Sequence, residues 1–281
     1  MRVLLGKTAF ITGGAGGFGL ALARQFAQFG ASIMLADINE TTLKTAVASL
    51  QGIGADADYL ICDVTERSSM QEAAEKTRER FGHVHILCNN AGVVTTGGVA
   101  EVKEADWEWV FAVNVMGVVN GVAAFLPAMK EHGQPAYIVN TSSIAGLRGM
   151  PFSGAYAASK SAVIGLSESL RAELEGSPIQ VTVLCPSFMK TNFFKSGEKR
   201  QDRYGGPGDI WSATNNEVKD FLTKLLEAGD SPDIIAHYTV QAILAGEQIV
   251  TTNPNDKSMI EDRFEAILAS FDRARTVLNQ N

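Results

Sequence analysis

Short runs of β-branched and apolar residues alternate along the chain with longer stretches in which apolar positions recur at helical spacing. The runs predict strands at Thr8–Ile11, Ser32–Asp37, Tyr59–Asp63, His85–Asn89, Ala136–Thr141, Gln180–Leu184 and Ile249–Thr251. The stretches predict helices at Phe18–Phe29, Glu40–Leu50, Glu66–Phe81, Asp106–Glu131, about 155–175 and Pro232–Leu244. Strict alternation predicts right-handed βαβ units and an α/β, doubly wound parallel sheet of about seven strands with helices on both faces.

Two segments depart from this alternation. Residues 187–231, here called the insertion, follow the sixth strand and combine Phe188, Phe193, Phe194 and Trp211 with a glycine-rich turn. Ligands bind at the carboxyl ends of parallel strands, so we expect the insertion to be a substrate lid. Residues 257–281 predict an amphipathic C-terminal helix, which either caps its own domain or helps to enclose a substrate pocket. No linker divides the chain, which predicts one domain over residues 1–281.

Composition and charge narrow the possible partners and the compartment. A net charge of −7 argues against nucleic-acid binding, and three cysteines in apolar runs fit a reducing, cytoplasmic compartment. The stretch Trp109–Met129 carries no charge and is long enough to span a bilayer. Polar, glycine and proline residues within it favour a helix buried at a sheet or subunit interface instead, and we expect no membrane association. These residues are Asn114, Gly117, Asn120, Gly121 and Pro127.

A glycine cluster at Thr12–Gly19 joins the first strand to the first helix. Free N–H groups at a helix start favour a bound phosphate, although such a cluster can also be only a tight turn. Asp37 ends the second strand, eighteen residues after Gly19, where a dinucleotide fold places the acid that binds the adenosine ribose. It could instead cap the next helix. Its charge repels a 2′-phosphate, and neither the glycine loop nor residues 37–39 contain Lys or Arg, so NAD is favoured over NADP.

A second candidate cluster contains Tyr156 and Lys160, which lie four residues apart and hence on one helix face. A nearby ammonium favours the phenolate, so Lys160 is expected to lower the pKa of Tyr156 for proton transfer. The preceding strand ends in Asn140–Ser143, thirteen residues upstream of the tyrosine, and supplies hydroxyl donors. An exposed surface pair is the alternative interpretation of Tyr156 and Lys160.

Taken together, these motifs resemble the short-chain dehydrogenase/reductase family over about residues 5–250, which implies a Rossmann-type sheet. The resemblance is carried by Thr-Gly-x-x-x-Gly-x-Gly at 12–19, Asp63-Val64, Asn89-Asn90-Ala91-Gly92, Asn114, Ser143 and Tyr156/Lys160. It implies that Tyr156 is the acid/base and that Ser143 orients the carbonyl. Lys160 would also hold the nicotinamide ribose, and Asn114 the water of a proton relay. The implied cofactor contacts are Gly13, Gly17, Phe18, Gly19, Asp37, Asp63, Val64, Asn90, Ala91, Gly92, Tyr156, Lys160, Pro186 and Thr191.

The sequence departs from the family pattern at Ser187, where the family usually has glycine, and in its long C-terminus. His83 and His85 are spaced like metal ligands, but no third ligand is evident, so no metal site is predicted and core or turn histidines are favoured. His132 and His237 have no partners in sequence. The cysteines are interpreted as small core residues without activating neighbours.

These features predict an NAD(H)-dependent oxidoreductase that interconverts a secondary alcohol and a ketone on a fairly large apolar substrate, such as a steroid, aryl or terpenoid alcohol. Met150, Pro151 and Phe152 add to the expected apolar pocket. The alternatives are a 3-oxoacyl-carrier-protein reductase and a non-catalytic dinucleotide sensor. Apolar faces on Trp109–Met129 and on the tyrosine-bearing helix predict a homodimer or homotetramer, as the family resemblance implies.

Overall fold

A computed structural model describes residues 3–211 and 213–278. Its seven strands form one parallel sheet in the order β3-β2-β1-β4-β5-β6-β7, which confirms the doubly wound Rossmann-type fold. The strands are β1 (Thr8–Thr12), β2 (Ser32–Asp37), β3 (Ala57–Ile61), β4 (Ile86–Asn89), β5 (Ala136–Thr141), β6 (Ile179–Cys185) and β7 (Ile249–Thr251).

Helices cover both faces of the sheet and bury its central strands completely, as in β1 and β4. Parallel strands buried on both faces consist of near-continuous apolar residues, which explains why they could be predicted. The helices are α1 (Gly17–Gln28), α2 (Glu40–Gln51), α3 (Arg67–Phe81), α4 (Glu104–Phe111), α5 (Gly117–His132), α6 (Ile144–Leu147), α7 (Gly154–Glu173), α8 (Asn216–Ala228), α9 (Pro232–Leu244) and α10 (Lys257–Leu278).

The third strand ends at Ile61, two residues before the predicted end. The carboxylate of Asp63 instead accepts bonds from the Thr65 backbone N–H at 3.0 Å and from its hydroxyl at 2.8 Å. Such a local side-chain turn competes with strand pairing, which is why the strand stops early.

The insertion contains a helix, α8, that was not predicted. Its signal in the sequence is Asn215, whose side chain caps the helix by accepting from the Val218 N–H at 2.9 Å. Leu222 is the buried residue of this helix and lies on the insertion's inner side.

The predicted long uncharged helix is divided by a π-helical turn, Ala112–Met116, between α4 and α5. The combined span Glu104–His132 is long and apolar enough to cross a membrane, but half of its most apolar window is buried inside the protein. The Phe125 ring packs against that of Phe10 in β1, with centroids 4.4 Å apart and planes tilted by 37°, so this span packs as a core helix.

Helix α10 covers little of its own domain. None of its described residues is buried, and Ile260 is the residue that packs against the core. The Arg263 guanidinium donates to the Leu147 carbonyl at 2.6 Å and fixes the start of the helix beside α6. Of the two alternatives for this helix, capping of its own domain is therefore limited to its start, while Phe271 remains 66% exposed. Residues 279–281 of the predicted helix lie outside the described residues.

Candidate active site

The glycine loop between β1 and α1 leaves the start of α1 open. Gly13 and Gly17 have φ values of 63° and 53°, a left-handed conformation that glycine adopts without strain. Gly16, at the N-cap, has no side chain, and the first turn carries no acid, so the N–H groups at this end are free of capping side chains. An added Cβ on Gly16 would meet open space. This cradle fits the diphosphate of a dinucleotide.

Hydrogen bonds join the end of β1 to the residues that follow β4, beneath the glycine loop. The Thr12 hydroxyl accepts from the backbone N–H groups of Asn90 and Ala91 at 2.9 and 3.0 Å. The Asn90 side-chain amide donates to the Thr12 carbonyl at 3.0 Å. Gly19 must be glycine because a Cβ there would collide with the Gly13 carbonyl and the Asn90 amide. The role of Asn90 and Ala91 seen here is to shape the loop.

Asp37 and Asp63 lie at the far end of the same cleft, where the adenosine was expected. Both are engaged by the insertion: Lys199 Nζ is 3.4 Å from Asp37 Oδ1, and Arg203 Nη2 is 2.8 Å from Asp63 Oδ2. The Gln201 side-chain amide also donates to Asp63, at 3.0 Å. The insertion therefore covers the predicted adenosine end of the cleft as well as the end near Tyr156.

The ionisation of Asp63 follows from these contacts. Burial acts to raise the pKa of its carboxyl group. Hydrogen bonds from Thr65, Gln201 and Arg203 outweigh this effect, so the pKa lies below its usual value. Asp63 is therefore an anion at neutral pH and can accept further hydrogen bonds.

The structure brings Tyr156, Lys160 and Ser143 together at the other end of the cleft. Helix α7 carries the tyrosine and the lysine on one face, and Ser143 follows β5 at the carboxyl edge of the sheet. The Lys160 ammonium donates to the Thr141 carbonyl at 2.8 Å and lies 5.7 Å from the Tyr156 ring centroid. These three residues form the candidate catalytic cluster.

The pKa values of this cluster are governed by burial. Burial raises the pKa of Tyr156 to about 12, against a hydrogen bond from Ser143 that lowers it. Burial lowers the pKa of Lys160 to about 8. The expected lowering of the tyrosine pKa by Lys160 is thus not seen in the protein alone. With its pKa lowered to about 8 by burial, Lys160 can exchange a proton near neutral pH.

Asn114 lies in the π-helical turn and is completely buried. Its side-chain oxygen accepts from the Val93 N–H at 2.8 Å, and its amide donates to the Val93 carbonyl and to Ser159 Oγ at 3.0 and 2.9 Å. Both amide protons are therefore used, and Asn114 joins the loop after β4 to helix α7. Ser159, which sequence reasoning missed, is the partner that completes this link.

The cleft has a volume of about 640 Å³ and runs continuously from the glycine loop to Tyr156. All the predicted cofactor residues line it, including Phe18, Val64, Gly92, Pro186 and Thr191. Thr191 faces the glycine loop, since a Cβ added to Gly17 would lie 3.6 Å from its methyl group. Among the described non-glycine residues only Phe152 has a positive φ, so Ser187 adopts its conformation without needing glycine.

Apolar side chains surround the cleft next to Tyr156. Phe193 meets the tyrosine edge-on with ring centroids 5.7 Å apart, and Phe194 contacts Trp211 at 4.8 Å. Trp211, Pro151 and Phe152 do not line the cleft in the part of the chain described, contrary to the expectation of direct pocket contacts. The apolar residues that do line it include Val94, Met150, Phe188, Met189, Phe193, Phe194, Leu222 and Leu226.

The cysteines and histidines are the remaining candidate residues. Cys62, Cys88 and Cys185 are buried free thiols, and burial raises the pKa of each. His132, for which no partner was expected, lies 5.0 and 5.3 Å from His83 and His85 between ring centroids. No group of three metal-ligating side chains with suitable geometry occurs among residues 3–211 and 213–278.

Comparison with known proteins decides the family. Residues 7–202 match the family model for short chain dehydrogenase. The chain belongs to the short-chain dehydrogenase family. The order and spacing of the glycine loop, Ser143 and Tyr156/Lys160 already predicted this membership, which is now confirmed.

Three relatives illustrate the breadth of this short-chain dehydrogenase family. The chain is 33% identical to a C alpha-dehydrogenase of Sphingobium over 96% of its length and 88% of that protein. It is 37% identical to a 3-oxoacyl-[acyl-carrier-protein] reductase of Thermotoga maritima over 67% of the chain and 76% of that protein. A family member from Burkholderia phymatum, solved in complex with NAD, superposes with a TM-score of 0.91 at 35% identity, covering 96% of this chain and 97% of that one. The protein is therefore an oxidoreductase.

Proposed function

We propose that this protein is an NAD(H)-dependent oxidoreductase that interconverts a secondary alcohol and a ketone on a fairly large apolar substrate. The observation that carries the proposal is one continuous cleft, which has an uncapped glycine loop at one end and Tyr156, Lys160 and Ser143 at the other. The glycine loop at the start of α1 would hold the diphosphate of a dinucleotide in this cleft, and Tyr156 and Lys160 would hold its nicotinamide end. A non-catalytic dinucleotide sensor would need only the glycine-loop end of the cleft.

The nicotinamide, when bound, supplies or accepts the hydride, and the protein has to align the substrate carbon and move one proton. Ser143 suits the first task because its oxygen already accepts from the Ala145 N–H at 3.2 Å, while its proton makes a long contact with the Pro186 carbonyl, 3.5 Å, and can turn toward Tyr156 instead. A substrate oxygen can replace that weak contact. Ser143 then holds the substrate oxygen beside the Tyr156 hydroxyl.

Tyr156 exchanges the proton with the substrate oxygen, and Lys160 relays it. A buried phenol with a pKa of about 12 holds its proton at neutral pH and can donate it to a ketone. The Lys160 ammonium has a pKa of about 8 and donates to the Thr141 carbonyl, so it can return a proton to the relay. Asn114 positions α7 against the loop after β4, which fixes the distance between these groups.

The proposed substrate class rests on the lining of the cleft beside Tyr156. Phenylalanine, methionine and leucine side chains of the insertion surround this region, and Phe193 contacts the tyrosine ring itself. Such a pocket binds apolar groups by removing their surface from water and leaves Ser143 and Tyr156 to orient the one polar oxygen.

The preference for NAD rests on Asp37, which ends β2 within the cleft and whose side chain is only 10% exposed. A carboxylate at this position accepts hydrogen bonds from ribose hydroxyls and repels a 2′-phosphate. That the related Burkholderia protein binds NAD supports the same choice.

An absorbance screen at the NADH band tests the proposal. We expect purified protein to reduce NAD, and NAD more efficiently than NADP, with hydrophobic secondary alcohols such as steroid, aryl and terpenoid alcohols. Tyr156→Phe serves as the inactive control on every compound. A 3-oxoacyl thioester belongs in the panel for the reductive direction. If catalytic efficiency is highest with the thioester and NADPH, the protein is a carrier-protein reductase and our proposal is wrong. If the protein binds NADH but turns over none of the compounds, it is a sensor.

A further inference from the structure

A lysine of the insertion lies beside the carboxylate that we assign to the adenosine ribose. Lys199 Nζ is 3.4 Å from Asp37 Oδ1, and the ammonium is 44% exposed while the carboxylate is 10% exposed. The two residues are 162 positions apart in sequence. The insertion thus brings to the end of β2 a positive charge that the glycine loop and residues 37–39 do not contain.

The position of Lys199 is fixed by its neighbours in the chain. Arg200 forms an ion pair with Asp106 at 2.7 Å, and Gln201 donates to Asp63 at 3.0 Å. These two contacts hold the backbone immediately after Lys199 against the body of the protein. The ammonium is therefore held near Asp37 before any ligand binds. Because this backbone is already ordered, ligand binding costs little further chain entropy.

Arg203 is a further cation of this part of the insertion, and it is already engaged. Its guanidinium lies 2.8 Å from Asp63 Oδ2 and 3.1 Å from Glu66 Oε1. Two carboxylates compensate its charge. Lys199 pairs with the single carboxylate of Asp37, and its 44% exposure leaves donor capacity toward the open cleft.

A 2′-phosphate on the adenosine ribose has to lie close to the carboxylate that binds the ribose hydroxyls. Asp37 alone repels it, and an ammonium within hydrogen-bond reach of the same carboxylate offsets this repulsion. We propose that Lys199 is a cofactor-discriminating residue: it reduces the penalty that Asp37 imposes on a 2′-phosphorylated adenosine, so that the enzyme binds NADP(H) as a second cofactor behind NAD(H). This inference rests on the proposed function, in which the cleft binds a dinucleotide.

Calorimetric binding of two adenosine fragments tests the inference without turnover. Adenosine 2′,5′-bisphosphate carries the 2′-phosphate, and 5′-AMP lacks it. We expect Lys199→Ala to weaken binding of the bisphosphate about tenfold, the size of one lost charge-assisted hydrogen bond, and to change 5′-AMP binding less than about twofold. Lys199→Arg should retain the bisphosphate affinity because it keeps the charge.

Lys195→Ala is the matched control, since Lys195 is an exposed lysine of the same insertion that lines the cleft but forms no ion pair with Asp37. It removes the same net charge and should alter the ratio of the two affinities less than about twofold. The bisphosphate affinity of the wild type should also fall more steeply with salt than the 5′-AMP affinity.

The possible failures are distinguishable. If Lys199→Ala weakens both fragments equally, or neither, while the wild type still binds NADH, the role of Lys199 is refuted and the proposed function stands. An equal loss in Lys195→Ala also refutes it, because the effect then comes from general charge. If the wild type binds neither NADH nor 5′-AMP, the proposed function itself fails, and this inference with it.

Discussion

Arg200 and Asp106 form an ion pair with Nη1 2.7 Å from Oδ1, and the two side chains are only 10% and 6% exposed. The guanidinium also lies over the Trp109 ring, 4.4 Å from its centroid. This pair joins the insertion to the start of the long helix that leads to Asn114. It therefore links the wall of the substrate pocket to the element that supports the catalytic helix.

Removal of one member of this pair should destabilise the insertion. Asp106→Asn leaves a buried, uncompensated guanidinium and should cost about 3–5 kcal/mol if unfolding is cooperative, together with a raised KM for bulky substrates. Thermal unfolding and steady-state kinetics measure the two effects. Arg24→Met, which breaks the exposed pair with Asp233, is the control and should cost less than about 1 kcal/mol. The double variant Asp106→Leu/Arg200→Met should recover much of the loss, and a double variant as unstable as the single one would contradict this account.

Tyr156→Phe should abolish turnover and leave cofactor binding nearly intact. The substitution removes the proton-transfer hydroxyl but keeps the ring that packs on Phe193. We expect kcat/KM to fall by a factor of at least about 10²–10⁴, with NADH affinity, measured by fluorescence, unchanged within about twofold. Full activity in the variant would disprove the assigned role.

The pH dependence of the reaction should report the proton relay. Alcohol oxidation needs a proton acceptor, so its rate should rise with pH through the pKa of Lys160, about 8, while ketone reduction should fall over the same range. In Lys160→Met the rising limb should move upward toward the Tyr156 value of about 12. A profile in the variant with the same midpoint as the wild type would remove Lys160 from the relay.

Lys160 should also lower the stability of the fold at neutral pH. Burial lowers the pKa of Lys160 from 10.5 in the unfolded chain to about 8 in the folded protein. Between these two pH values the unfolded chain binds one more proton than the folded protein, so the stability of the fold rises with pH over this range. Lys160→Met should therefore raise Tm at pH 7, and the gain should shrink as the pH rises from about 8 to 10.5. A variant that is less stable than the wild type at pH 7 would show that the Thr141 contact outweighs burial.

Asp37 should set the main cofactor preference. Asp37→Ala with Ile38→Arg removes the carboxylate repulsion and adds a cation, so the ratio of kcat/KM for NADP over NAD should rise. Thr42→Ala, another residue that lines the same end of the cleft, is the control. A wild type that favours NADP would overturn the assignment of Asp37.

Truncation after Asp256 tests the role of α10. None of its described residues is buried within the chain, so the truncated protein should keep Tm within a few degrees. Its exposed apolar residues are expected to pack on another subunit instead, so light scattering should show a dimer or tetramer for the full chain and weaker association after truncation. A raised KM for bulky substrates would add a role at the neighbour's pocket. A full-length monomer at micromolar concentration would count against the predicted assembly.

The sequence by itself determined the sheet, the glycine loop and the residues at the two ends of the cleft. Each of these depends on local patterns: buried parallel strands are continuous apolar runs, and strand ends of a doubly wound sheet meet at one edge. Asp37, Ser143 and Tyr156 could therefore be placed along one cleft without a structure, since each lies at or just beyond a strand end or on a helix at the same edge of the sheet.

Only the tertiary structure decided what the insertion does. The contacts of Lys199 with Asp37 and of Arg200 with Asp106 join residues far apart in sequence, and no periodicity or spacing marks them. In the protein alone, burial raises the pKa of Tyr156, whereas the motif led us to expect a lowering, because a motif shows which charge is nearby but not how much water is excluded. Burial, long-range ion pairs and the exposure of α10 all depend on which surfaces meet after folding, and local sequence carries little information on that.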